Sequence, residues 1–262
     1  MKIRLLLLSC FVLLMLSYCV STKRITYLQD TEAAIDSIIE VERIQKPYRI
    51  QINDLLSIRV KAMDQELVGM FNPVGEDNPN ATGEERLYYD GFLVDAHGNI
   101  RVPTLGEVNV LGFTVEEVRE KIEKSLLEDY FTEEANIFVT VKLAGIRYTT
   151  IGEIGAGSQV IYKEQVTIME AIANAGDITE YGDRTDVVIL RQYPSGQKRH
   201  HIDLTSIDAV KSPYYYIQPN DLIIVNPLPQ KALGLGTTGL ATLQTATMLL
   251  TLITSTIFLI TR

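Results

Sequence analysis

Residues 91–143 read GFLVDAHGNIRVPTLGEVNVLGFTVEEVREKIEKSLLEDYFTEEANIFVTVKL, and this stretch decides the fold. Phe92 and Val94 alternate with Leu93 and Asp95, and His97-Gly98-Asn99 supplies a turn. Ile100 and Val102 resume the alternation, and Pro103 stops it. Gly106 and Gly112 mark two further turns, where positive φ is needed. Thr114 stands three residues before Glu117, the spacing of a capping box that closes the free amides of a helix start. Val115, Val118, Ile122 and Leu126 then make one apolar helical face, and Ile137, Val139 and Val141 alternate as a half-buried strand does. The order is strand, turn, strand, turn, helix, strand.

Upstream, Tyr48, Ile50 and Ile52 alternate with polar neighbours, Asn53-Asp54 turns the chain, and Leu56, Ile58 and Val60 alternate back. This predicts a hairpin over residues 47–61. Residues 72–86 are rich in Asn, Pro, Gly and Glu without an apolar period, as an exposed loop is. Downstream, residues 146–227 read as a second unit. A strand over 147–154 leads into a turn from Gly152 to Gly157. Thr167 and Glu170 form a second capping box ahead of Ile168, Ala171, Ile172 and Ala175, and Gly176 sits where a helix ends. Strands over 187–190 and 200–204 are joined by Pro194-Ser195-Gly196, and Pro219-Asn220-Asp221 turns into a last strand over 222–225. The expected class is α+β, with two small mixed α/β domains over 47–145 and 146–228. The β-β-α-β-β order of the second suggests a small β-grasp-like unit.

Both ends carry membrane signals. Lys2 and Arg4 precede an apolar run from Leu5 to Leu16, the pattern of a signal peptide over residues 1–19. It ends at Leu16-Ser17-Tyr18-Cys19, which resembles a bacterial lipobox and makes Cys19 the residue to be acylated. Residues 20–46 read as a polar tether. After a hinge over 229–239, residues 240–261 form an uncharged stretch. At about 1.5 Å per residue it fits one crossing of a bilayer core about 30 Å thick. On a helical wheel Gln244, Thr247, Thr251, Thr254, Ser255 and Thr261 fall in one sector about 120° wide. Two readings follow. The stripe lines a water-filled lumen enclosed by several copies, or its hydroxyls bond their own backbone and serve helix packing.

Composition excludes much chemistry. The formal charge of −9 argues against nucleic acid as a partner. Both cysteines, Cys10 and Cys19, lie in the leader, so the body has no disulfide framework. His97, His200 and His201 are too few for a zinc or iron cluster, and the last two face opposite ways on a strand. Ser158 in GAGSQ is no nucleophile elbow, and Gly152, Gly155 and Gly157 match neither a dinucleotide fingerprint nor a phosphate loop. Turn capping accounts for Asp95, Asp177 and Asp221. Tyr214-Tyr215-Tyr216 reads as strand and subunit packing, with stacking on sugar as the alternative. No pair of carboxylates suggests a polysaccharide-cleaving enzyme, and no cofactor or metal is expected.

The run from Asp95 to Glu117, DxxGNIxVPxLGEVxVxGxTxEE, resembles the N-terminal domain of the outer-membrane polysaccharide export proteins, the Wza-like family. YRIQINDLLSIRV, residues 48–60, is similar to that family's opening hairpin. GEIGAGSQVIY and the segments after it, through YYIQPNDLIIVNP, look like the soluble-ligand-binding β-grasp (SLBB) module that follows it. The resemblance implies structural roles for Asp54, Gly98, Pro103, Gly106, Gly112, Gly152, Glu153, Gly157, Gly176 and Asp221. It further implies a lipoprotein of the bacterial outer membrane with its body in the periplasm. Such a protein assembles a homo-oligomeric ring of C-terminal helices, passes capsular or exopolysaccharide, and works with an inner-membrane polysaccharide co-polymerase. The alternative is a membrane-anchored scaffold or glycan-binding module whose pore is formed by another protein.

Overall fold

The computed structural model describes residues 22–29, 47–63, 68–72, 89–132, 135–193, 196–232, and, near the C-terminus, 244, 247, 248, 250–252, 254–256 and 259. The body is α+β and carries two hydrophobic cores.

The first core lies under a three-stranded antiparallel sheet. Strand β1 (Leu55–Lys61) is central, between β2 (Phe92–Leu93) and β5 (Phe138–Leu143), with Leu56 opposite Leu143 and Lys61 opposite Phe138. A separate hairpin pairs β3 (Asn99–Val102) with β4 (Gly106–Asn109). Helix α1 (Val115–Asp129) closes the unit. It starts as its sequence dictates: Thr114 Oγ1 accepts from the Glu117 amide at 3.2 Å, and Glu117 Oε2 accepts from the Thr114 amide at 2.7 Å. Such a cap is worth about 1 kcal/mol. Val118, Ile122 and Leu126 are fully buried, each contributing roughly 1.5–3 kcal/mol.

Two expectations fail here. Residues 106–109 form a strand after Gly106 rather than only a turn, because Val102 and Gly106 close a hairpin around Pro103-Thr104-Leu105. Residues 48–52 are not a strand paired with β1. Ile50 instead exchanges two backbone bonds of 2.9 Å with Gly112 and Phe113, which draws that arm to the entry of α1.

The second core underlies a five-stranded sheet in the order β7-β6-β10-β8-β9. Its strands are β6 (Ile146–Gly152), β7 (Gly157–Ile161), β8 (Gly182–Tyr193), β9 (Gly196–Ile202) and β10 (Leu222–Pro227). Helix α2 (Ile168–Asn174) connects β7 to β8 behind the second capping box, Thr167 with Glu170. First and last strands, β6 and β10, are parallel neighbours at the centre, whereas the other pairs are antiparallel. One short helix, α3 (Pro229–Ala232), follows. The tyrosines at 214–216 are not a strand; only Tyr216 makes an isolated bridge, to Thr167.

Residues 22–29 lie within the expected tether. They lie on the second unit, with the Leu28 amide on the Leu204 carbonyl at 3.0 Å and the Gln29 amide on that of Thr205 at 2.7 Å. The described positions between 244 and 259 are helical. Among the described residues no helix is long and apolar enough to cross a membrane. Much of the span expected over 240–261, the acylation site Cys19, and most of the loop expected over 72–86 lie outside the described residues.

Candidate functional site

One tetrapeptide pattern occurs twice, at Gln51-Ile52-Asn53-Asp54 and at Gln218-Pro219-Asn220-Asp221. Each copy turns the chain into a strand, β1 or β10, by the same device. The asparagine takes positive φ, 70° at Asn53 and 65° at Asn220, which Asn tolerates better than other side chains. The aspartate Oδ2 then accepts from the glutamine amide three residues back, at 2.8 Å in both copies. The two copies meet where the two units meet: Asn220 Nδ2 donates to Asp54 Oδ1 at 3.3 Å.

Their surroundings differ. Asp54 Oδ2 also accepts from the Tyr48 hydroxyl at 2.6 Å, and no cation is paired with it among the described residues. Burial pushes the Asp54 carboxyl up to about 6, and the bonds from Tyr48 and Gln51 pull it down only in part. Burial and the Asp54 charge together push the Tyr48 hydroxyl far above its ordinary value. Asp221 faces a fork. Arg191 Nε and Nη2 reach its two oxygens at 2.9 and 2.7 Å, and Nη2 also donates to the Tyr216 carbonyl at 3.1 Å. Both side chains of this pair are buried. Burial raises the Asp221 carboxyl, against the pull of the guanidinium. Turn capping therefore explains Asp95, whose Oδ1 accepts the amides of His97 and Asn99 at 2.8 Å, but only half of what Asp221 does.

Two clefts are lined by the residues of these turns or their neighbours. One, of about 480 Å³, is bordered by Asn53, Leu93, Arg147 and Val160. The other, of about 650 Å³, is bordered by Tyr48, Arg191, Tyr214, Tyr216 and Gln218. Tyr214 stacks on His200 with ring centroids 3.8 Å apart and planes 21° apart, and His200 Nε2 meets the Tyr193 hydroxyl at 2.9 Å. Burial, then the Arg191 charge, lowers the His200 pKa. His201 points the other way, to Asp186 at 2.5 Å. Among the described residues no three His, Cys, Asp or Glu side chains are grouped to hold a metal ion.

The remaining motif positions serve the backbone. Gly98, Gly106, Gly112, Gly152, Gly157 and Gly176 all take positive φ. At Gly152 the reason is also space: a Cβ would stand 2.1 Å from the Val225 carbonyl oxygen, where β6 and β10 run together. Pro103 heads the β3–β4 turn. Glu153 Oε2 accepts from the Thr179 hydroxyl at 2.7 Å, and its Oε1 holds Lys231 Nζ of α3 at 2.5 Å. That lysine, then Thr179, lowers the Glu153 carboxyl.

This last pair belongs to a meeting of chain ends. Leu228, just before α3, bonds the Tyr181 carbonyl at 2.7 Å. On the same 177–184 segment, Asp177 accepts the Tyr27 hydroxyl at 2.6 Å, Asp183 pairs with Arg24 at 3.3 Å, and the Arg184 guanidinium lies 4.9 Å from the Tyr27 ring centre. Burial above all pushes the Tyr27 hydroxyl up to about 12. Residues 24–27 and 228–231 thus both contact one stretch that leads into and begins β8, or the strand beside it. Sequence reading missed this, since nothing local to residues 22–29 marks a docking strap.

The stripe positions Gln244, Thr247, Thr251, Thr254 and Ser255 are helical and exposed. Their hydroxyls donate backward along the helix: Thr247 to Gln244, Thr251 to Met248, Thr254 to Leu250 and Thr251, and Ser255 to Leu252, at 2.8–3.0 Å. Thr256, off the stripe, does the same to Leu252. Each hydroxyl keeps its lone pairs as acceptors while its proton stays within the helix.

Residues 42–142 match the family model described as polysaccharide biosynthesis/export protein. The EPS I polysaccharide export outer membrane protein EpsA of Ralstonia nicotianae is 30% identical over 152 residues, covering 55% of this chain and 39% of that protein. The chain therefore spans well under two thirds of that relative's length.

Proposed function

We propose that this chain, whose residues 42–142 match the polysaccharide biosynthesis/export family, is a subunit that carries capsular or exopolysaccharide out through the bacterial outer membrane. The match over residues 42–142 carries the reading, because it covers the whole first unit from Tyr48 through most of β5. On this reading Cys19 is acylated, residues 240–261 cross the membrane, and several copies form a ring that receives polymer from an inner-membrane co-polymerase. The second unit is then an SLBB β-grasp domain; its central parallel pair β6–β10 between antiparallel hairpins supports that. The convergence of residues 22–29 and 228–232 on the 177–184 loop supports a body whose second unit is nearer the membrane and whose first unit projects into the periplasm.

Deleting the chain in its host should abolish surface polysaccharide, and the wild-type chain should restore it. Retention of the polymer after deletion would end the reading. Subunit counting in mild detergent and conductance across a planar bilayer then decide between pore and scaffold. The scaffold reading draws on one observation: the stripe hydroxyls are satisfied by their own helix. Thr251→Leu separates the two. If the stripe lines a lumen, export falls; if the helix only anchors, export is unchanged.

A further inference from the structure

We infer that the cleft of about 650 Å³ between the two units is a binding site for an uncharged carbohydrate, about one or two hexose rings of a polymer chain. The inference rests on the export reading for the source of the sugar. The site itself stands on four features of the cleft.

Four tyrosines border the cleft. Tyr48 comes from the first unit, and Tyr193, Tyr214 and Tyr216 from the second. A sugar ring has an apolar C–H face and a polar hydroxyl edge, and tyrosine offers the complement of both. Tyr214 is already fixed. It stacks on His200 and lies 5.9 Å from the Arg191 guanidinium. Those two side chains come from the same face of the β8–β9 ladder, in which His200 pairs with Ile189, two residues before Arg191. A ring held in place before the ligand arrives loses little conformational freedom on binding.

Hydrogen-bonding groups converge with the rings. Gln218 and Tyr216, each with a polar group on its side chain, also border the cleft. Arg191 is almost wholly buried, yet its side chain borders the cleft, while Asp221 and the Tyr216 carbonyl engage Nε and Nη2. Nη1 makes no hydrogen bond among the described residues and remains as a donor.

Charge selects the ligand class. Among the described residues, each ionised side chain bordering the cleft has an opposite partner: Arg191 with Asp221 at 2.7 Å, Lys211 with Asp208 at 2.7 Å, Glu164 with Lys142 at 3.3 Å. A phosphate or uronate would meet there only cations already paired, and a metal ion only a carboxylate already paired. A hydroxyl-rich neutral molecule needs neither.

Finally, the cleft is made by both units, because Tyr48 lines it and is held by Asp54, the residue that Asn220 joins across the boundary. A bound sugar therefore touches both units at once.

The test uses the full chain in mild detergent, titrated with maltotetraose, cellotetraose and mannotetraose, with tetragalacturonate and glucose 1-phosphate as charged probes. Saturation-transfer NMR reports contact, and the 13 tyrosines, in a chain without tryptophan, report binding by fluorescence. A neutral tetrasaccharide should bind. Tyr214→Leu, which keeps apolar volume and removes the flat ring, should weaken it about five- to tenfold. Gln218→Glu should weaken it comparably, and it covers the case in which Tyr214→Leu does not fold. Tyr162→Leu, on an exposed ring outside the cleft, should leave binding unchanged. Binding of the charged probes in preference, no binding of any neutral probe at millimolar concentration, or wild-type affinity in both cleft variants overturns the proposal. If surface polysaccharide is still lost on deletion, the export reading survives that failure.

Discussion

The two Gln-x-Asn-Asp turns are the same sequence doing different electrostatic work. Both set an asparagine at positive φ and both close an aspartate onto the amide three residues back at 2.8 Å. Backbone geometry is therefore a local property of the tetrapeptide. The fate of the charge is not. Asp221 is answered by a buried guanidinium, whereas Asp54 is answered only by a phenol and amides, and its pKa rises to about 6. A short motif dictates where a carboxylate points, and the side chain that arrives from another strand dictates whether it stays ionised.

The largest effect that would sharpen this contrast is the loss of the fork. Arg191→Met leaves Asp221 buried without its cation, and should destabilise the second unit by roughly 3–5 kcal/mol in chemical denaturation. A small effect would mean that the Asp221 turn needs no more support than the Asp54 turn.

Next is pH. The folded state raises the Asp54 pKa from 3.8 to about 6, so the folded chain holds that proton more tightly than the unfolded chain. The stability it contributes is complete below about pH 4 and is lost as pH rises through about 6, a change of about 3 kcal/mol. Asp54→Asn should flatten that slope in urea melts taken from pH 4 to 7, while its partner turn is untouched. An unchanged slope would show that Asp54 is ionised in the fold at no cost.

The smallest effect tests the sameness of the two backbones. Asn53→Ala and Asn220→Ala should each cost about 1–2 kcal/mol for the left-handed conformation. Asn220→Ala should cost somewhat more, since it also removes the bond to Asp54. Thermal melts of the pair would break the comparison if the two differed by several kcal/mol.

Much of the architecture was legible because its signals are local. Thr114 with Glu117 and Thr167 with Glu170 predicted two helix starts, and both boxes close as expected. The alternation at 137–141 predicted β5. The arm at 48–52 alternates just as well, yet its backbone bonds go to residues 112 and 113. Alternation reports which side chains are apolar in turn; it says nothing about which strand supplies the hydrogen bonds. Residues 106–109 are short and carry one buried side chain, Val108, so their periodicity was too brief to read. The repeated tetrapeptide was visible in the sequence and went unread as a repeat. A comparison of the chain with itself would have found it.

By itself the sequence determined the helix starts, the apolar faces behind them, the glycine positions, and the resemblance over the first unit, because each depends on neighbours a few residues apart. Only the tertiary structure decided that residues 22–29 dock on the second unit and that Arg191 rather than water meets Asp221. It alone joined Tyr48, Tyr214 and Gln218 around one cleft. Tyr27 and Asp177, Arg191 and Asp221, and Tyr48 and Tyr214 are each far apart in the chain, and which of many equally suitable partners a side chain meets is set by how the sheets pack, not by any spacing along the chain.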